Sequence, residues 1–504
     1  MRSLISHLAQ DAAHRWAERP AITFPGRREL TFAEIDQLSG RFAGGLAARG
    51  IGRDDRVVLH LPNSWEWVVA YHAIARLGAV VVPANILLSP VEIRFITENS
   101  GARAIILGAA QREAIGAAAE VIVVGGFSGP RDQTFDTLLG GDWLAPCDLD
   151  PETLFTIGYT SGTTGTPKGA MLTHGGIFAS VAHTATFHVR HSGDRIYSAL
   201  PFPHVYGNVV MNGCFLTGSR LYAPVRFDPA DALQSISTER ITLFEGVPTM
   251  YYQILASPAA AQADLSSLTR CTVGGQTMPV AKLDAVAKRF GCPVLELWGM
   301  TELGGPATSH SPYWSPKHGS IGLPLPGVEV RIERLDGLGE AVRGTAGELM
   351  IRGELVTTGY WKNAEATADA IKDGWLATGD VAYQDGDGFL YIVDRKKDMI
   401  LTAGYNVYPA ELEQIIAAHP AVAMVAVAGF PDDEKGEIAK AFVVLHRDVS
   451  VEPSSLIAYC REHLAAYKVP RAIIFVDDLP KTGTGKIMRR ALAGVSDERP
   501  SIPA

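Results

Sequence analysis

Residues 160–169 read TSGTTGTPKG, and the interpretation of the whole chain starts from this stretch. It follows Leu154-Phe-Thr-Ile157, an apolar segment typical of a buried strand. Its glycines allow backbone N–H groups to turn toward an anion, its hydroxyl groups donate hydrogen bonds, and its lysine adds positive charge. The stretch therefore predicts a phosphate-binding loop, with candidate ligands Thr160, Ser161, Gly162, Thr163, Thr164, Gly165 and Lys168.

In the P-loop of nucleoside triphosphatases a glycine directly precedes the lysine. This loop differs, because Pro167 directly precedes Lys168. A flexible linker is the alternative interpretation. Linkers seldom combine paired threonines, a proline and a lysine between two apolar segments, so we favour phosphate binding. By itself the loop leaves the reaction open.

The composition narrows the class of protein. A chain of 504 residues is long enough for more than one domain, and 47% hydrophobic with 20% charged residues is typical of a folded globular protein. The net charge of -9, without a basic block, argues against a nucleic acid partner. The five cysteines form no CxxC pair, which argues against a zinc site or a disulfide framework and favours the reducing cytoplasm.

The N-terminal residues form a helical apolar face that Asp11 and Arg15 interrupt, unlike the continuous apolar segment of a signal peptide. No apolar run approaches the roughly 18 residues that a membrane span needs. We therefore expect a cytoplasmic protein with no membrane span.

The first half of the chain alternates predicted strands and helices. Thr31-Phe-Ala-Glu34 predicts a capping box at the start of a helix. Residues 57–59 predict a strand, 64–77 a helix and 79–82 a second strand, which together are the repeating unit of a parallel sheet. We therefore expect an α/β fold.

The pattern changes twice further along. Around Leu349 and Ile351, apolar and polar residues alternate, which predicts antiparallel strands whose other face, with Met350 and Arg352, is solvated. After the charged residues 394–398, the sequence predicts a final α+β section. Its predicted elements are a helix at 409–418, strands at 421–427 and 441–445, a helix at 453–466 and a strand at 472–476.

Three further motifs suit a nucleotide, although each has a structural alternative. In residues 297–302 (LWGMTE), Trp298 could stack on an adenine and Glu302 could bind Mg²⁺. The structural alternative is a buried tryptophan beside a surface acid. Asp380, after a turn, suits the two hydroxyls of a ribose, or else closes a simple Gly-Asp turn. Residues 479–486 (LPKTGTGK) form a second glycine, hydroxyl and lysine loop or an exposed basic turn.

These motifs, with Asp394-Arg395 and residues 404–409 (GYNVYP), occur in an order and spacing that resemble the adenylate-forming acyl-CoA synthetases over essentially the whole chain. The resemblance implies a large N-terminal domain, residues 1–395, with two α/β sheets and a small β subdomain. It also implies a smaller, mobile α+β C-terminal domain, residues 396–504. The implied reaction uses ATP and Mg²⁺ to form an acyl adenylate and pyrophosphate from a carboxylic acid, after which coenzyme A displaces AMP.

The resemblance also implies roles for particular residues. Thr301 corresponds to the α-phosphate contact, Glu302 to the Mg²⁺ ligand and Lys486 to the lysine that stabilises charge at the α-phosphate. The residues that correspond to contacts of the adenosine part are Gly275, Gln276, Trp298, Gly299, Asp380 and Arg395. The turn with Gly275 and Gln276 also corresponds to one that touches the acyl group on its other side.

A second group of implied roles concerns movement and access. Lys397 corresponds to the hinge, about which the C-terminal domain brings Gly404 and Tyr405 to the thiol tunnel. His204 corresponds to a gate of the acyl pocket, although a lone histidine is more often structural.

The segments implied to line the acyl pocket are residues 202–208, 244–251, 274–277 and 303–306. They contain no lysine or arginine, which favours an apolar monocarboxylic acid, fatty or aromatic, over a dicarboxylate. Three alternatives stay open: an adenylating enzyme that loads the phosphopantetheine of a carrier protein, a luciferase-like oxygenation of the adenylate, and a catalytically inactive nucleotide sensor. A homodimer is compatible with the resemblance.

Overall fold

The computed structural model describes residues 4–112, 120–125, 132–160, 167–403, 405–432, 434–447, 449–481 and 487–494. Its α-helices are, in chain order, α1 (Ile5–Trp16), α2 (Phe32–Ala47), α3 (Trp65–Arg76), α4 (Pro90–Ser100), α5 (Ala109–Arg112), α6 (Phe135–Leu138), α7 (His174–Phe187), α8 (Val205–Thr217), α9 (Pro229–Thr238), α10 (Pro248–Ala256), α11 (Val280–Phe290), α12 (Ala364–Ala370), α13 (Pro409–Ala417) and α14 (Pro453–His463). Short 3₁₀ turns include Thr301–Leu303 and Arg489–Gly494.

The strands are, in chain order, β1 (Pro20–Phe24), β2 (Arg28–Thr31), β3 (Arg56–His60), β4 (Val80–Pro83), β5 (Ala104–Gly108), β6 (Glu120–Val124), β7 (Gln133–Thr134), β8 (Leu154–Thr160), β9 (Lys168–Thr173), β10 (Arg195–Ser198), β11 (Arg220–Tyr222), β12 (Leu243–Gly246), β13 (Arg270–Val273), β14 (Val294–Met300), β15 (Gly305–Ser309), β16 (Leu323–Pro324), β17 (Glu329–Glu333), β18 (Gly347–Arg352), β19 (Ile371–Lys372), β20 (Trp375–Gln384), β21 (Leu390–Arg395), β22 (Ile400–Thr402), β23 (Tyr405–Val407), β24 (Val422–Asp432), β25 (Gly436–Leu445) and β26 (Ala472–Phe475).

Two mainly parallel sheets form most of the structure. One has seven strands in the order β7-β6-β5-β3-β4-β8-β9, and the other has nine in the order β16-β15-β14-β13-β12-β10-β11-β1-β2. Helices α1, α2, α3, α7 and α8 pack against one another, and buried residues of both sheets share one apolar core with them. The α/β prediction is confirmed.

The predicted capping box is present at the start of α2. The Thr31 hydroxyl accepts a hydrogen bond from the Glu34 N–H at 3.2 Å, and the Glu34 carboxylate accepts one from the Thr31 N–H at 2.8 Å. The backbone N–H groups of Thr31 and Glu34 would otherwise lack partners at the start of the helix. The local sequence alone therefore specifies where this helix begins.

A third sheet has five strands in the order β17-β18-β20-β19, with β21 paired to β20. Its antiparallel pairing agrees with the prediction. The predicted solvated face is exposed at Arg352, whose side chain is 45% exposed, but not at Met350, which is only 4% exposed. On that face the guanidinium groups of Arg331 and Arg352 lie over the Trp375 ring at 4.5 and 4.6 Å, which is cation–π packing.

The fourth sheet, β23-β22-β25-β24 with β26 paired to β25, packs with α13 and α14 around a separate apolar core. This is the predicted α+β section. The β24–β25 ladder extends to the pair Asp432 and Gly436, beyond the predicted strands 421–427 and 441–445. Helix α14 ends at His463, earlier than the predicted residue 466.

Candidate active site

The predicted phosphate loop connects two antiparallel strands. Thr160 ends β8, Lys168 begins β9, and the two residues lie opposite each other in the ladder. The predicted ligands Ser161, Gly162, Thr163, Thr164 and Gly165 lie outside the described residues. Both ends of the loop nevertheless lie at one edge of the seven-stranded sheet, where β9 is the last strand.

The Thr301–Leu303 turn directly follows β14 and packs against this hairpin. A side chain at Gly158 of β8 would place its Cβ 2.7 Å from the Cγ2 of Thr301, so the close approach requires glycine there. Glu302, the next residue, is buried at 6% exposure. The predicted α-phosphate contact and the predicted Mg²⁺ ligand therefore lie beside the loop hairpin.

Trp298, Asp380 and Arg395 are in direct contact. The indole N–H of Trp298 donates to Asp380 Oδ2 at 2.8 Å, and Arg395 Nε lies 3.1 Å from Asp380 Oδ1. Asp380 and Arg395 are opposite each other on β20 and β21. The prediction placed the ribose hydroxyls on Asp380 and did not include these protein partners. A carboxylate has about four acceptor positions, so ribose contacts and the indole contact are compatible.

Tyr360 joins the two groups of residues. Its phenol donates a hydrogen bond to Glu302 Oε1 at 3.0 Å, and the Lys168 ammonium lies 5.5 Å from its ring centroid. Burial raises the pKa of Glu302, whereas the Tyr360 hydrogen bond and the positive charge of Arg395 act in the opposite direction. Burial, followed by the negative charge of Glu302, raises the pKa of Tyr360 well above its ordinary value, so the phenol stays protonated and donates.

The residues predicted near the adenine and the acyl group occupy strand and helix ends. Gly275 follows β13 with φ of +86°, a left-handed conformation that favours glycine, and Gln276 beside it is half-buried. Gly299 lies on β14, where an added Cβ would be 2.1 Å from the Gly305 carbonyl oxygen. A side chain at residue 299 is therefore excluded by the β14–β15 hairpin.

His204 is the N-cap residue of α8, where its Nδ1 accepts a hydrogen bond from the Tyr206 N–H at 3.3 Å. This contact is structural, since it satisfies one of the backbone N–H groups that a helix start leaves without a partner. It also fixes the ring at the start of a helix whose first residues belong to the predicted acyl pocket.

The predicted hinge lies in the turn after β21. The Lys396 ammonium donates to Glu348 Oε2 at 3.0 Å and so remains attached to the third sheet, whereas Lys397 is exposed. Tyr405, on β23, is 55% exposed and stacks on Tyr467 with a centroid distance of 4.5 Å. Gly404 and Lys486 lie outside the described residues.

Sequence reasoning missed an ionic cluster beside this turn. Arg489 donates to Asp394 Oδ1 at 3.0 Å and to Glu413 Oε2 at 2.8 Å, and it lies 3.4 Å from Asp398. Asp394 Oδ2 also accepts from the Ala410 N–H at 2.9 Å. The segment directly after Lys486 is thus attached to the end of β21.

Neither Tyr360 nor Arg489 has a local signal of function. Tyr360 stands in a Gly-Tyr-Trp sequence that suits any buried turn, and Arg489 belongs to an ordinary basic run. Asp394 was part of the family resemblance, but without a role. Their partners could be recognised only once distant segments were placed together.

Two known protein families match parts of this chain. The family described as AMP-binding enzyme matches residues 9–361, and the AMP-binding enzyme C-terminal domain matches residues 411–486. The chain belongs to the AMP-binding enzyme family, within which it is an ATP-dependent acyl-CoA ligase.

Relatives that are named for different acids have about the same sequence identity to this chain. The long-chain-fatty-acid--CoA ligase of Bacillus subtilis is 34% identical, with 97% of this chain and 94% of the relative covered. The 2-succinylbenzoate--CoA ligase of Geobacillus kaustophilus is 37% identical, with 94% of each covered. The crystal structure of the anthranilate CoA ligase AuaEII with anthranoyl-AMP superposes with a TM-score of 0.91 at 28% identity, covering 98% of each chain.

Within the described residues, no helix combines the length and apolar character that crossing a membrane would require.

Proposed function

We propose that this enzyme activates an apolar monocarboxylic acid, fatty or aromatic, and transfers the acyl group to coenzyme A. In the first step a carboxylate oxygen attacks the α-phosphorus of ATP, and the bond to the leaving pyrophosphate breaks. In the second step the coenzyme A sulfur attacks the acyl carbon, and AMP leaves. A carboxylate is already ionised near neutral pH, so the first step needs charge stabilisation and alignment rather than a general base.

The observation that carries the proposal is the buried carboxylate of Asp380, held between Trp298 and Arg395 beside Glu302. The indole face is suited to an adenine, and Asp380 to ribose hydroxyls. Glu302 supplies the hard oxygen donor that Mg²⁺ takes from proteins when substrate phosphates complete its coordination. Bound there, Mg²⁺ would neutralise phosphate charge.

The chain's own residues complete the proposed first step. Thr301 contacts the α-phosphate, Lys168 and the loop 160–165 hold the β- and γ-phosphates, and Lys486 stabilises the charge that develops at the α-phosphate. Gly275, Gln276 and Gly299 present backbone to the adenine.

For the second step we propose movement about Lys397 of a C-terminal domain, residues 396–504, relative to residues 1–395. This movement withdraws Lys486 and brings Gly404 and Tyr405 to the thiol. His204 gates the acyl pocket between the two steps.

The preference for an apolar acid is supported by the charge around the predicted acyl pocket. Arg190 reaches Glu245, which belongs to one of the lining segments, at 2.7 Å, and both side chains are fully buried. The guanidinium charge is therefore neutralised by a protein carboxylate. A second carboxylate on the substrate would need a cation of its own.

The experiment is to supply the purified protein with ATP, Mg²⁺ and a panel of acids, and to measure pyrophosphate and thioester with and without coenzyme A. The panel includes short and long fatty acids, benzoate, and a dicarboxylate as the matched control. We expect both products from apolar acids alone. Preferred use of the dicarboxylate would contradict the pocket argument, pyrophosphate without thioester would indicate a carrier protein, and no pyrophosphate with any acid would indicate a sensor.

A further inference from the structure

Tyr360 lies between two residues with proposed roles at the phosphates. Its phenol contacts Glu302 Oε1 at 3.0 Å, and the Lys168 ammonium lies 5.5 Å from the centroid of its ring. Lys168 comes from the loop hairpin and Glu302 from the turn after β14. One half-buried tyrosine from a third part of the chain therefore contacts both.

The backbone around Tyr360 fixes its position from both sides. The Thr357 N–H donates to the Glu302 carbonyl oxygen at 2.7 Å, and the Trp361 N–H donates to the Gly169 carbonyl oxygen at 2.7 Å. Residues 357–361 thus lie between β9 and the Thr301–Leu303 turn. These bonds fix the Cα of Tyr360 relative to Glu302, so the phenol reaches the Glu302 carboxylate from a fixed backbone position.

A carboxylate that binds a metal through one oxygen is more effective when a protein donor fixes its orientation. The buried position of Glu302 makes such a donor more important, because few water molecules reach it. The Tyr360 ring meanwhile attracts the Lys168 ammonium through its π face.

We propose that Tyr360 is a positioning residue for ATP activation: its hydroxyl orients the Glu302 carboxylate toward the metal, and its ring holds Lys168 beside the same phosphates. The inference rests on the proposed role of Glu302 as the Mg²⁺ ligand. It adds a specific connection between the metal carboxylate and the phosphate lysine.

Tyr360→Phe tests the hydroxyl while it keeps the ring that contacts Lys168. We measure Mn²⁺ binding by electron paramagnetic resonance in the presence of a non-hydrolysable ATP analogue, and the Mg²⁺ concentration that half-saturates pyrophosphate release. We expect metal binding to weaken and half-saturation to rise by about 10-fold. Thioester formation from supplied acyl adenylate should be unchanged, because pyrophosphate and its metal are absent from that step.

Tyr222→Phe is the matched control, since the Tyr222 hydroxyl donates to the Glu239 carboxylate at 2.7 Å elsewhere in the structure. It should leave the metal dependence unchanged. A general loss of stability in Tyr360→Phe would lower both half-reactions, whereas loss of positioning should lower pyrophosphate release alone.

Glu302→Gln and the double variant separate this inference from the function on which it rests. If Tyr360 acts through Glu302, the double variant should bind Mn²⁺ no more weakly than Glu302→Gln alone. Normal metal binding by Glu302→Gln would refute the proposed ligand. Weak binding by Glu302→Gln with normal binding by Tyr360→Phe, or fully additive losses, would refute the positioning role alone.

Discussion

Two buried aspartates occupy neighbouring strands of the third sheet and have different partners. Asp380 on β20 lies opposite Arg395, and Asp394 on β21 lies opposite Val381. Their exposures are 4% and 3%. Asp380 accepts from Trp298, which precedes it in the chain, whereas Asp394 accepts from Ala410 and Arg489, which follow it. The same residue type, with about the same burial, therefore contacts residues of the proposed nucleotide site in one case and residues of the C-terminal section in the other.

The difference shows how the two parts of the enzyme are connected. The Asp380 contacts with Trp298 and Arg395 lie within residues 298–395, so these two contacts could persist in the proposed movement of the C-terminal section. The Asp394 contacts cross the predicted hinge, and Arg489 is only three positions after Lys486. Burial raises the pKa of Asp394, while the Arg489 charge and the backbone N–H groups of Ala410 and Arg395 act in the opposite direction. The proposed rotation about Lys397 would have to preserve or replace this cluster.

The largest expected effect is that of Asp380→Ala. It removes the proposed ribose contact and leaves Trp298 and Arg395 without their shared carboxylate. The AMP part of ATP is bound in the first half-reaction, and the AMP part of the acyl adenylate is bound in the second. We therefore expect pyrophosphate release and thioester formation from supplied adenylate each to fall by about 100-fold. Asp387→Ala, an exposed aspartate between β20 and β21, is the control. A loss confined to one half-reaction would show that Asp380 does not hold the adenosine throughout.

Lys397→Pro tests whether the turn between the two aspartate environments is the hinge. Proline restricts φ and removes a backbone N–H, which should stiffen the turn. We expect pyrophosphate release to continue and thioester formation from supplied adenylate to fall by about 10- to 100-fold. Lys397→Ala removes the same side chain without restricting the backbone and should behave as wild type. Normal thioester formation by the proline variant would place the hinge elsewhere.

Arg489→Met tests the contacts of Asp394 while it preserves much of the side-chain volume. It leaves the buried Asp394 without its cation, and we expect a loss of about 2 kcal/mol in the stability of the C-terminal section, measured by thermal unfolding and limited proteolysis. This is below the value for a fully buried pair because the Arg489 side chain is 24% exposed. Pyrophosphate release should fall more than thioester formation, since Lys486 is nearby in the chain.

Arg471→Met, at an exposed arginine of the same section, controls for removal of a positive charge. Unchanged stability together with unchanged pyrophosphate release in Arg489→Met would mean that the cluster has no part in holding the Lys486 segment.

The smallest expected effect is that of Asp398→Asn. Asp398 lies 3.4 Å from Arg489 and its side chain is 30% exposed, so water already screens the pair. We expect a change of about 0.5 kcal/mol or less in stability and no change in either half-reaction. A loss as large as that of Arg489→Met would mean that Asp398, rather than Asp394, is the main partner of Arg489.

The sequence by itself determined the α/β class, the antiparallel and α+β sections, the capping box at Thr31, and a set of nucleotide motifs. These features depend on residues close together in the chain, where periodicity, turn residues and capping follow local rules. The family resemblance then connected the motifs to a reaction. It named Asp380 and Glu302 as ligands but not the residues that hold them.

Only the tertiary structure decided those partners. Tyr360 and Glu302 are 58 residues apart and Arg489 and Asp394 are 95 apart, so their contacts depend on which strands are neighbours. The same reason explains the burial of Met350 and the length of the β24–β25 ladder, because both depend on which segments pair and pack with each other. Residue types that suit a site can be read along the chain, but the contacts that orient them arise when distant segments pack together.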